Sequence, residues 1–118
     1  MSEKLSKDSH LVEVGKLLRE KRVALGTQFK SREFFIEDRS ENLFNYEEWI
    51  SSRYLASLEL GNNQMSIEKL IKLAYALEVD PVELFGEILH IYQNINWFNS
   101  NLKQEKELRL SLTLVLFK

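Results

Sequence analysis

Apolar residues recur along most of this chain at spacings of three and four, the signature of helices with one face turned to a core. In SHLVEVGKLLREKRVALG, Leu11, Val14, Leu18 and Leu25 share such a face; Ser9 is placed to cap the start and Gly26 to close the end in a left-handed turn. A second helix is expected from Ser31, with Phe34, Phe35 and Asp38 following at helical spacing and an end near Ser40. ISSRYLASLELG predicts a third, capped by Ser51, with Leu55 and Leu58 inward and Gly61 at its close. Ser66 caps a fourth, on which Ile67, Leu70, Ile71, Ala74 and Leu77 form an apolar face. The fifth start is the clearest: Asp80 as N-cap, Pro81 at the first helical position and Glu83 where a capping box needs it. From there Leu84, Ile88, Ile91, Ile95 and Phe98 carry the stripe to about residue 98.

The pattern then changes. NSNLKQEK is polar, and ELRLSLTLVLFK places leucine at every second position from Leu108 to Leu116. Period two fits a strand, whose alternate side chains share a face; a helix over 103–118 is the alternative. A lone strand leaves both edges unpaired in water. Its expected partner is the same strand of a second copy, antiparallel about a two-fold axis, with the leucine face over the fifth helix. The chain thus divides into a helical domain, 9–86, and a dimerisation extension, 87–118. Between the second and third helices ENLFNYEEWI, near 41–50, reads as an insertion, in which Phe44, Tyr46 and Trp49 are expected to pack as a satellite cluster.

Composition narrows the classes. The 118 residues are 44% hydrophobic and 29% charged, ordinary for a globular domain. With no cysteine there is no disulfide framework and no thiolate zinc site, which suits a reducing cytoplasm. The start, MSEKLSKDSH, lacks the apolar stretch of a signal peptide, and no apolar run of about 18 residues offers a membrane span. His10 and His90 stand apart, and there is neither an HExxH motif nor a phosphate-binding glycine loop. No catalytic residue, metal site, cofactor or small-molecule ligand is expected. The net charge of −2 is low for a nucleic-acid binder, and residues 31–64 are the most acidic stretch.

The segment ISSRYLASLELGNNQMSIEKLIKLAYALEVDPVELF, with its Glu59-Leu60-Gly61 ending, serine-capped fourth helix and L-x-V-D-P-x-x-L-F fifth, resembles the lambda-repressor-like (XRE, Cro/CI-type) helix-turn-helix family. VGKLLREKRVALG is similar to that family's first helix, so the resemblance covers roughly residues 11–86. It implies an all-α, five-helix domain, of which the apolar stripe to about residue 98 makes the fifth helix elongated. It also implies a non-enzymatic transcriptional regulator, in the first place a repressor, that binds operator DNA as a homodimer. The long second connection departs from the 3–4-residue turn of a compact helix-turn-helix.

In that family the third helix enters the major groove with its N-terminal residues at base edges. Carried over position by position, the groove-facing residues are Ser52, Arg53 and Ser57, with Ala56 for a thymine methyl and Tyr54 alongside. Phosphate contacts are implied for Lys30, Ser31 and Arg32 at the second helix's N-terminus, and for Asn62 and Asn63 in the polar turn after the third. Arg22 and Glu59 interrupt apolar faces, where a charge has to be paired. The resemblance implies that they pair with each other across helices one and three. The alternative is an interaction module of the same fold, an antirepressor or antitoxin component without strong DNA binding, which the acidic middle segment favours.

Overall fold

Side-chain caps set the helix starts. In the computed structural model, which describes residues 9–94, Ser31, Ser51 and Ser66 each accept a hydrogen bond from the backbone N–H three residues on, as does Asp80 from Glu83, all at 3.0–3.1 Å. They open α2 (Arg32–Leu43), α3 (Ser52–Glu59), α4 (Ile67–Ala76) and α5 (Pro81–Gln93); α1 spans Ser9–Val23, and a 3₁₀ turn, Thr27–Lys30, links it to α2. The described residues are therefore all-helical, with five α-helices and no strand. None of these helices is long and apolar enough to cross a membrane.

The helix ends depart from the pattern. Gly26 does not close α1 in a left-handed helical turn: α1 stops at Val23, and Gly26, at φ 148° and ψ 168°, leads into the 3₁₀ turn. Gly61 does close α3, at φ 80°, with Asn62 N–H donating to Ser57 O and Gly61 N–H to Leu58 O. α4 ends in the same bond pattern around Glu78, a non-glycine at φ 62°. α2 runs past Ser40 to Leu43 and turns through two left-handed residues, Asn45 and Tyr46, so residues 44–51 make the connection to α3.

Leu18, Phe35, Leu55, Leu73 and Leu84, one from each helix, meet in a single core. Trp49 joins that core rather than a satellite cluster: its ring meets Phe35 edge-on at 5.7 Å, and its N–H donates to Ile36 O. Phe44 stacks on Trp49, whereas Tyr46 is exposed. α4 is also rotated from its expected face. Leu70, Leu73, Ala74 and Leu77 are buried, while Ile67 and Ile71 are exposed. Its apolar arc is wider than the core can cover, and the half centred on Leu73 is the one taken.

α1 lies close along α3 because two glycines let backbone meet backbone. A Cβ on Gly15 would sit 2.3 Å from Glu59 O, and one on Gly61 would sit 2.7 Å from Val12 Cα. This contact fixes the attitude of α3 on the domain.

Candidate nucleic-acid interface

α3 is divided by its own geometry. Leu55, Leu58 and Glu59 are buried, Ser52, Ala56 and Ser57 are partly covered, and Arg53 is exposed. Its outer surface is short, small and polar, with a single cation.

Behind that surface lies a buried ion cluster. Arg22 grips Glu59 with two hydrogen bonds, Nε to Oε2 at 2.7 Å and Nη2 to Oε1 at 2.8 Å. The two side chains are 2% and 1% exposed, so the fork is desolvated on both sides. Glu59 Oε1 also accepts from Arg32 Nε at 2.8 Å. Arg22 Nη1 donates to the carbonyls of Phe29 and Lys30. The Arg22–Glu59–Arg32 cluster thus ties α1, the 3₁₀ turn, the start of α2 and the end of α3 together.

Arg32 is a member of this cluster, 31% exposed, as well as a residue at the α2 N-terminus. Lys30 keeps its side chain exposed beside it. The Ser31 hydroxyl is the α2 cap. Tyr54 is half-buried, with a long 3.4 Å bond from its hydroxyl to Gln64 O and Lys69 Nζ 6.0 Å from its ring centre. Asn62 is exposed, and Asn63 donates to Ser57 Oγ at 2.6 Å, which joins the turn after α3 to its outer face. Ser52, Arg53, Ala56 and Ser57 therefore share one side with Asn63, while Lys30, Ser31 and Arg32 stand at the neighbouring helix start.

Three features were not read from the sequence. Ser52 Oγ donates to Glu33 Oε2 at 3.0 Å, placing a carboxylate between the N-termini of α2 and α3. Glu33 is held below the usual carboxylate range, first by its backbone N–H, then by the Ser52 hydroxyl. It is an ionised, acceptor-only group in the middle of the surface. Its signal was an acid in the first turn of α2, which reads equally as helix-dipole chemistry. Arg39, on α2, is 9% exposed and bonds Asp38, Glu78 and the carbonyl of Ala76, with Phe29 beneath it. Lys69 donates to Trp49 O at 2.6 Å and pins the connection before α3.

His10 packs at a tilt against the Tyr92 ring, and His90 meets Asn94. No group of three potential metal ligands occurs among the described residues. No family model, no curated protein and no solved structure matches the chain.

Proposed function

We propose that the protein is a non-catalytic, sequence-specific DNA-binding regulator that presents α3 to the major groove and acts as a homodimer. The observation that carries this reading is the mounting of α3: a small polar face, Ser52, Arg53, Ala56 and Ser57, backed by the Arg22–Glu59–Arg32 cluster. A helix held this way keeps its attitude when its outer side chains meet base edges. Two copies are needed because one short helix reads only a few base pairs, and two-fold symmetry sets the spacing of half-sites. The sparse cations predict a shallow salt dependence, since few counterions are released. Mobility shift on the chain's own upstream DNA and on random duplex, across a salt series, tests the reading. Equal, weak binding to both would overturn it.

Arg53 is the one exposed cation on the α3 face, and arginine is the best donor pair for guanine O6 and N7. Arg53→Ala is expected to weaken operator binding by about 1–3 kcal/mol and to relax preference at one position per half-site. Equal loss on operator and random DNA would make Arg53 a phosphate contact instead.

The second reading, a protein-interaction module of the same fold, is favoured by the Glu33 carboxylate, which repels phosphate and attracts a basic partner. Glu33→Gln separates the two. The substitution removes a negative charge beside the backbone phosphates and raises affinity for DNA if DNA is the partner. It lowers affinity for a basic protein if that is the partner.

A further inference from the structure

Apolar surface that the core does not absorb gathers beside α5. Ile67 at the start of α4, and Phe85 and Leu89 on α5, are 65%, 45% and 41% exposed. With Leu11 of α1 and Tyr92 near the end of α5, they line a groove of about 260 Å³ whose walls hold no charged side chain, though residues 63–66 add three polar ones. Small-molecule sites run to ~300–1,000 Å³. This groove is smaller, and its mostly apolar walls suit a few apolar side chains.

We propose that the groove is the docking site of the chain's own residues 107–118, whose leucines at 108, 110, 112, 114 and 116 supply those side chains. The argument rests on where the chain goes next. α5 ends at Gln93, one residue past Tyr92, which is itself part of the groove wall, so the following residues begin at its rim. Residues 95–107 reach about 40 Å when extended, twice the ~20 Å length of α5, which is enough to turn back along the groove. A segment tethered this closely has an effective concentration in the millimolar range. It therefore outcompetes the same segment of a second copy at micromolar protein. Leucine at every second position presents one apolar edge to the groove, with Arg109, Ser111, Thr113, Val115 and Phe117 on the other edge. The proposal does not depend on DNA binding, and it leaves Ile71, Tyr75 and Val82 outside the groove for contact with another molecule.

Because the full chain has no cysteine, engineered pairs report on the docking without background. Leu89→Cys is combined in turn with Leu110→Cys, Leu112→Cys and Leu114→Cys, and with Ser111→Cys and Thr113→Cys as out-of-phase partners. Leu43→Cys, exposed on α2 and outside the groove, replaces Leu89→Cys as the control. All sites are on the surface or in the tail, so folding is retained. Under mild oxidation at micromolar protein, at least one leucine-position pair is expected to close a disulfide of monomer mass about tenfold faster than the Leu43 control. The Ser111 and Thr113 pairs are expected to lag. Crosslinks of dimer mass would give the groove to a second copy and overturn the proposal. So would equal rates at leucine and out-of-phase positions, or rates no faster than the control.

Discussion

Glu59→Ala is expected to destabilise the domain by about 3–5 kcal/mol, as removal of one partner from a buried ion pair does. The loss is large because Glu59 serves two arginines, and Arg22 is left 2% exposed with its charge uncompensated. Urea denaturation reads the change directly. The double variant Arg22→Met with Glu59→Leu removes both buried charges and recovers part of the stability. It does not recover all, because Arg22 also satisfies the Phe29 and Lys30 carbonyls, and a polar group buried without a partner costs about 1–3 kcal/mol. Wild-type stability in both single variants, Arg22→Met and Glu59→Leu, would show that the cluster holds nothing.

Gly15→Ala is expected to cost about 3 kcal/mol, the upper part of the range for overpacked cores. A methyl group there meets the Glu59 carbonyl at 2.3 Å and the Leu58 carbonyl at 2.7 Å. Neither is a flexible side-chain tip that can swing away, so α1 has to lift from α3. On an exposed helix the same change is stabilising by up to about 1 kcal/mol, because alanine is the better helix former. The sign of the measured change therefore tests the α1–α3 contact itself. A rise in denaturation midpoint would mean that the two helices do not touch there.

The helix starts were legible in the sequence because a serine or aspartate cap acts within three residues of itself, as at Ser31, Ser51, Ser66 and Asp80. The ends were less so. Asn45, Tyr46 and Glu78 enter left-handed conformations without a glycine to announce them. Arg39 bonding Glu78, and Tyr46 N–H donating to Ser40 O, accompany those turns, and such long-range terms have no local signature. Which half of the α4 apolar arc is buried is hidden for a similar reason. Ile67 and Ile71 are as apolar as Leu73, and only the neighbouring helices decide which are covered. The close approach at Gly15 has no local signature either, because its partner, the Glu59 carbonyl, lies 44 residues away. At the candidate interface, the side of α3 that faces out follows from Leu55 and Leu58 facing in. Glu33 joins it across a connection that sequence spacing does not constrain. The leucines of 107–118, Ile95 and Phe98 lie outside the described residues.

The division of α3 into an anchored side and a free side has an evolutionary consequence. Leu55, Leu58 and Glu59 carry the attachment, and the side chains of Ser52, Arg53, Ala56 and Ser57 contribute little to the core. Surface substitutions away from such anchors usually change stability by no more than about 0.5 kcal/mol. Arg53 and Ala56 are then nearly free to drift while the fold persists, and Ser52 and Ser57 are held only by single hydrogen bonds with Glu33 and Asn63. A library randomised there should lose few members to unfolding, and lineages descended from this chain can acquire new recognition without first acquiring a more stable domain.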